Sequence, residues 1–375
     1  MDRQLKENMP ALVLVNTCRI VLGLVFAFSG VVKAIDPVGT QIKLNDYLAA
    51  FGWGGILLDS TVLIMACILA GFEILIGVYM LLGAFSRGTS LITLILMVLL
   101  TPFTLYIAMN NPVEDCGCFG DALKLTNWQT FYKNVFLLAV AVYVFVRRRF
   151  ILPFVSPRRQ WLVLVVTVLI SVRFMVSNII NLPVLDFRPY SIGTDLRREV
   201  TMGNPEMSDF VLLNDGLEDV TSEILEDSSY VFLLAAPHLE DASDDYLDLI
   251  DDVYDYCDHF GYRMTGLTAS GSGAVHQWTE DTGAEYSFLH CDEIPLQTMV
   301  RSNPGLILLK DGVIINKWSQ RNIPQDEVLS ASLEELEIGE MPERSPMRAP
   351  WAVALYFLFP LVLVILIDRL KEMIL

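Results

Sequence analysis

Residues 61–84 read TVLIMACILAGFEILIGVYMLLGA, an unbroken apolar run whose one charge is Glu73. A hydrocarbon core about 30 Å thick is crossed by about 20 helical residues, so this run predicts a membrane-spanning helix. Working outward from it, five further stretches have the same character: 10–33, 89–109, 131–147, 160–182 and 349–367. The whole chain of 375 residues is 53% hydrophobic and 19% charged, with mean hydropathy +0.48, a balance that excludes a purely globular protein. A cleaved leader is not expected at the first run, because it is longer than a signal peptide core and Arg19 interrupts it.

Charge is divided unevenly along the chain. Residues 184–348 carry 33 acidic and 10 basic side chains, leaving 11 acidic and 16 basic for the remainder. An acidic module of this kind repels nucleic acid and anionic headgroups, so the lipid bilayer is an expected partner and nucleic acid is not. Short cytoplasmic loops collect Lys and Arg. Arg147, Arg148, Arg149, Arg158 and Arg159 crowd one connection, Arg87 lies in another, and Arg3, Lys6, Arg369 and Lys371 mark the two ends. All of them agree with cytoplasmic termini and an extracytoplasmic location for 34–60, 110–130 and 184–348.

Ionisable groups within the spans are costly and mark a pairing or a function. Arg19 and Glu73 each lie about 14–15 Å from the inner surface at 1.5 Å per residue, which predicts an intramembrane ion pair, either fixing helix register or contacting a proton or ligand. Lys33 is expected to emerge at the outer surface. Asn134, one turn into the fourth span, is expected to hydrogen-bond a neighbouring helix.

The six cysteines fall into three settings. Cys18 and Cys67, inside apolar runs, read as packing residues. Cys116 and Cys118 stand in Asp115-Cys-Gly-Cys-Phe-Gly-Asp121, in an outer loop. Two thiols one residue apart form a short ring whose disulfide is strained and therefore labile, which suits a redox pair; a static brace is the competing reading. Lys33 would lower a thiol pKa there, whereas Asp115 and Asp121 would raise it. Two thiolates could also hold a soft ion, yet no histidine lies in a membrane-side loop, and no metal ligands are assigned. Cys257 and Cys291, in the acidic module, could form a disulfide or remain as two buried thiols.

From Tyr230 onward short apolar runs alternate with amphipathic stretches. Strands are expected at 230–236, 263–268, 286–289, 305–309 and 313–318, the last two joined by Asp311-Gly312, with helices over 242–259, around 275–281 and over 325–338. The resulting α/β order, together with Asn303-Pro304 before the hairpin, resembles a thioredoxin-like domain of the TlpA-like kind, in which Pro304 takes the cis-proline position. Where that family carries Cys-x-x-Cys, this chain has Ala236-Pro237-His238-Leu239. The resemblance therefore implies a fold without the family's exchange chemistry. His238 reads as a loop histidine or the remnant of a binding site. The mixed apolar and Pro/Gly linker 182–204 is expected to pack on the rim of the bundle.

Residues 10–150 resemble the DoxX/MauE group of bacterial four-helix membrane proteins. The resemblance rests on Arg19, on Phe28-Ser-Gly-Val-Val-Lys33, on Glu73 in Phe-Glu-Ile-Leu-Ile-Gly, and on Cys116-Gly-Cys-Phe-Gly120 leading to Asn134. It implies an inner-membrane protein in which Cys116 and Cys118 form the redox pair, exchanging with envelope thiol or disulfide proteins. A quinone near Lys33 is the cofactor such a bundle could hold. The expected architecture is a four-helix membrane domain (1–150), a fifth span (151–183), an inserted extracytoplasmic thioredoxin-like domain (184–348, core about 228–340) and a last span with a short tail (349–375). The alternative to a thiol-disulfide oxidoreductase is a non-catalytic, membrane-anchored binding or assembly module of the cell envelope.

Overall fold

The computed structural model describes residues 9–113, 115–342 and 348–374; Arg3 and Lys6 lie outside the described residues. The chain divides into two compact units, residues 1–178 with 347–375, and residues 179–346. The first contains six helices long and apolar enough to cross a membrane: α1 (Met9–Ile35), α3 (Asp59–Leu82), α4 (Ser86–Asn110), α5 (Asn127–Val146), α6 (Gln160–Ile180) and α12 (Arg348–Ile374). The protein is a multi-pass membrane protein with a helical bundle in contact with lipid.

The shortest α-helix of this unit, α2 (Pro37–Ala50), lies within the connection 34–60, for which the apolar pattern predicts no helix. Its start is written locally: Asp36 accepts a hydrogen bond from the Gly39 amide, and Pro37 occupies the first turn, where its missing N–H costs nothing. Helix α5 opens on a reciprocal capping box between Thr126 and Gln129, four residues ahead of the expected boundary.

Antiparallel helices α1 and α3 approach closely through glycines. A Cβ on Gly30 would lie 2.6 Å from the Ile74 amide nitrogen, and one on Gly77 would lie 2.4 Å from that of Ala27. This close seam brings the polar residues of α1 against α3. It does not bring Arg19 to Glu73. The register of the antiparallel pair decides this: Gly23 faces Leu81, Ala27 faces Gly77 and Gly30 faces Ile74, so Arg19 lies level with the carboxyl end of α3 and Glu73 lies level with the segment that ends in Lys33. Arg19, 1% exposed, donates to the carbonyls of Met80, Leu81 and Leu152 and to Asn16 Oδ1, capping the carboxyl end of α3. The expected Arg19–Glu73 pair is thus replaced, and Glu73 takes Lys33 as its partner at 2.8 Å.

Helix α12 packs on α6 through Phe174 with Tyr356 and Phe357. Its Asp368 accepts from the Ser156 amide and hydroxyl and from Arg159.

The second unit is built on a five-stranded mixed sheet in the order β3-β2-β1-β4-β5. Strands β1 (Tyr230–Ala235), β2 (Arg263–Thr268) and β3 (Phe288–His290) are parallel; β4 (Gly305–Lys310) and β5 (Val313–Ser319) are antiparallel additions. Alternation along β1 sends Phe232 and Leu234 into one core and Val231, Leu233 and Ala235 into the other. Helices α9 (Leu247–Phe260) and α10 (Ser272–Thr282) contribute Val253 and Trp278 to the first core. The short helices α7 (Leu196–Thr201), α8 (Thr221–Leu225) and α11 (Glu293–Met299) contribute Leu196, Ile224 and Leu296 to the second.

One expectation fails in this unit. Residues 325–338 do not form a helix: the Tyr256 hydroxyl donates to the Ala331 carbonyl and the Leu333 amide donates to the Tyr262 hydroxyl, so side chains satisfy backbone groups that a helix would pair internally. The linker contributes to the core of this unit. Tyr190 and Leu196 belong to the second core of the sheet, and the Asp186 carboxylate accepts from Lys317 Nζ at 2.5 Å. The Asn303–Pro304 peptide is cis.

Candidate functional site

The loop between α4 and α5 turns twice through glycine, and Gly117 takes φ +62°, a left-handed conformation that an L side chain rarely adopts. That turn folds Cys116 and Cys118 onto one another with their sulfurs 2.9 Å apart as free thiols. Three elements then hold the loop. From α1, Ser29 Oγ donates to the Cys118 carbonyl at 2.6 Å and Lys33 Nζ donates to the same oxygen at 2.8 Å. From α2, the Tyr47 hydroxyl donates to the Cys116 carbonyl at 3.0 Å, and Lys43 Nζ pairs with Asp115 at 3.1 Å. Asp115 in turn accepts from the Gly117 amide at 2.7 Å. From α5, the Lys133 ammonium sits 4.2 Å over the Phe119 ring, which packs against Phe28.

Lys33 does not emerge at a surface. It is buried, leaning back along α1 to Glu73, which leans to meet it. Its ammonium has three hydrogens and three acceptors: Ser29 Oγ at 2.7 Å, Glu73 Oε2 at 2.8 Å and the Cys118 carbonyl. No hydrogen remains for a quinone carbonyl, so Lys33 does not fit the role of a quinone contact.

The two thiols are electrostatically unequal. The hydrogen bond from Cys116 stabilises the Cys118 thiolate, Lys133 and Lys33 add to this, and burial and Glu73 oppose it; the net result lowers Cys118 to about 6. The same bond, with burial and the neighbouring Cys118 charge, pushes Cys116 up, against the opposing pull of Tyr47 and Lys133. A lowered thiol beside a raised one is an attacking group beside its proton-holding partner.

Asn134 Nδ2 donates to Thr104 Oγ1 at 3.2 Å, joining α5 to α4. Cys257 and Cys291 do not pair: they lie in separate cores on opposite faces of the sheet, and burial pushes each up to about 12. His238 is half-exposed and faces Glu293 at 3.0 Å. Pro304 is buried at the start of β4. The sequence reading missed Tyr47, Lys43 and Lys133 as loop contacts. The first two would have followed from the Asp36-Pro37 helix start; Lys133 carries no local signal.

A helical membrane bundle holding a paired-thiol loop against a buried lysine–glutamate pair defines the class of this protein. Within it, residues 10–147 match the family described as methylamine utilisation protein MauE. The match covers the first four spans and the cysteine loop. No curated protein and no solved structure matches the chain.

Proposed function

We propose that this is a thiol-disulfide redox protein of the bacterial inner membrane, with both termini cytoplasmic and residues 184–348 outside, acting on envelope thiol or disulfide proteins through Cys116 and Cys118. The observation that carries the reading is the 2.9 Å sulfur contact between a lowered and a raised thiol in a loop held from three sides. The match to MauE supports a membrane-associated redox or assembly role.

In the exchange, the Cys118 thiolate attacks one sulfur of a client disulfide. A mixed disulfide forms and the first client sulfur leaves as a thiolate, which takes up a proton. Cys116 then loses its proton and attacks Cys118 Sγ, closing the Cys116–Cys118 disulfide and expelling the second client sulfur. Two electrons have passed to the client, now a dithiol. Read backward, the same steps oxidise a client dithiol and reduce the pair. A thiol or disulfide protein of the opposite poise resets the loop. The sheet unit, thioredoxin-like in its strand order and cis-proline, bears no thiol at 236–239 and keeps its two cysteines buried, which suits presenting a client without reacting with it.

Acid trapping and mass-tag alkylation in cells test this. A pair that is partly reduced, that recovers after a reductant pulse, and that traps a mixed disulfide in the Cys116→Ser variant supports it. A wholly oxidised and inert pair, with both Cys→Ser variants functional, leaves the cysteines a brace and makes the protein a non-catalytic assembly module.

A further inference from the structure

The Lys33–Glu73 pair is expensive to build. Both side chains are buried, at 6% and 9% exposure. Taking two charges out of water costs as much as their attraction returns, so well-packed apolar residues could hold two helices in register as well or better. Register is in any case set by the glycine seam, where backbone meets backbone at Gly30 and Gly77. The charges therefore call for another explanation, and their contacts supply one. Lys33 bonds directly to the backbone of one residue in the loop, the carbonyl of Cys118. Ser29, one turn earlier, donates to that oxygen and accepts from Lys33. The positive end of a buried ion pair is thereby fixed to the residue whose sulfur must carry negative charge, and Glu73 is fixed behind it.

We infer that the Lys33–Glu73 pair is a charge-setting clamp on the redox loop, in which Lys33 positions Cys118 and favours its ionised form while Glu73 limits that effect. The inference rests on the redox reading above and adds the residues that make one thiol of the pair the attacking one. The hydrogen bonds of Lys33 run to oxygens, those of Ser29, Glu73 and the Cys118 carbonyl, and not to the reacting sulfurs, so Lys33 and Glu73 are positioning residues. Because the site is buried, their fields are weakly screened. The other charged and titratable groups about the loop are Lys133 from α5, Tyr47, Lys43 and Asp46 from α2, and Cys116, Asp115, Asp121 and Lys124 within the loop itself; Asp115 is engaged by Lys43, which also lies 4.0 Å from Asp46.

Charge and mere bracing make opposite predictions. A brace weakened from either side loosens the same loop, so Lys33→Met and Glu73→Gln would change Cys118 in the same direction. A charge clamp makes the two variants diverge. The experiment uses the full chain in detergent micelles, reduced, in a Cys116→Ser background that keeps a hydroxyl donor beside Cys118. The rate of iodoacetamide alkylation at Cys118 is read by peptide mass mapping across the range from about pH 5 to 9. Lys33→Met moves the midpoint up by about one pH unit, a roughly tenfold loss of thiolate below the midpoint. Glu73→Gln moves it down. Lys33→Arg, which keeps the charge, stays close to the parent.

The double variant Lys33→Met/Glu73→Gln leaves no unpaired buried charge and guards against misfolding of either single variant; its midpoint falls between theirs. Shifts in one direction for both single variants, or no shift on Lys33→Met because Lys133 alone sets the thiol, overturn the clamp. The titration is made on reduced protein, so it is independent of whether the pair cycles in cells. An inert disulfide in cells overturns the redox reading and leaves the titration standing, whereas same-direction shifts overturn the clamp and leave the redox reading standing.

Discussion

Two pairs of cysteines in this chain meet opposite surroundings. Cys116 and Cys118 touch across a loop tied down by Ser29, Lys33 and Tyr47, and one of them is drawn down to about 6. Cys257 and Cys291 lie under opposite faces of a sheet, among aliphatic and aromatic side chains, and both are pushed up to about 12. Burial alone does not decide the outcome, because it opposes ionisation at all four. What separates the pairs is the supply of donors and cations to the sulfur. The membrane unit, apolar on its lipid face, concentrates its polar groups at the loop. In the acidic unit no cation is set against either thiol among the causes that shift them, and the carboxylate of Asp292 beside Cys291 opposes ionisation.

The largest expected effect is therefore in reactivity. Cys118 is lowered, so its thiolate is present above about pH 6 and is lost as pH falls through that value. At pH 7 it is mostly ionised, whereas a thiol near 12 is ionised in about one molecule in 10⁵. Lower intrinsic nucleophilicity of the weaker base returns part of that difference. Alkylation of the reduced protein at pH 7, mapped by peptide, should still favour Cys118 over Cys257 and Cys291 by at least about a hundredfold. Equal rates would erase the contrast between the two regions.

A second way to sharpen the contrast is to damage one unit at a time. Phe232 is fully buried in the middle of β1, and Phe232→Ala should cost the sheet unit about 3–5 kcal/mol through lost burial and a cavity. Denaturation followed by a probe in the sheet unit reads this, and the rate of Cys118 alkylation should not change. Gly77→Ala works from the other side. Its Cβ would meet the Ala27 backbone, which cannot swing aside, so the α1–α3 seam opens at a cost of about 1–3 kcal/mol. Here Cys118 alkylation should change, because Ser29 and Lys33 ride on that seam. An unaltered rate would separate the loop from the helices that hold it.

How far this was legible in sequence depends on the range of the forces involved. The six long helices and the strands of the sheet announce themselves by period and length, and the capping box of α5 and the Asp-Gly turn are local signals. The Cys-Gly-Cys loop was also legible as a candidate, since it needs three adjacent residues. The partner of Glu73 was not. Counting residues from the expected span ends places Arg19 and Glu73 at one depth, but the register of the α1–α3 seam, with Gly23 on Leu81 and Gly30 on Ile74, sets Glu73 beside Lys33, fourteen residues further along α1. The region 325–338 misled for a related reason: its composition permits a helix, and two tyrosine hydroxyls from other elements outcompete it. The disulfide once open to Cys257 and Cys291 failed because the sheet lies between them, a fact of topology rather than spacing.

The smallest expected effect tests how finely the loop divides labour between its thiols. The Tyr47 hydroxyl donates to the Cys116 carbonyl and also favours ionisation of the Cys116 thiol, whereas Ser29 and Lys33 serve Cys118. Tyr47→Phe removes one partly buried hydrogen bond, worth about 1 kcal/mol. It should make Cys116 still harder to ionise, slowing closure of the pair by oxidised glutathione a few-fold. Alkylation of Cys118 in the Cys116→Ser background should stay within about twofold, since none of its contacts has been touched. If both rates fall together, α2 holds the loop as a whole and the two thiols share one set of supports. If only closure slows, the loop has separate controls, one from α1 on the attacking thiol and one from α2 on the thiol that resolves it.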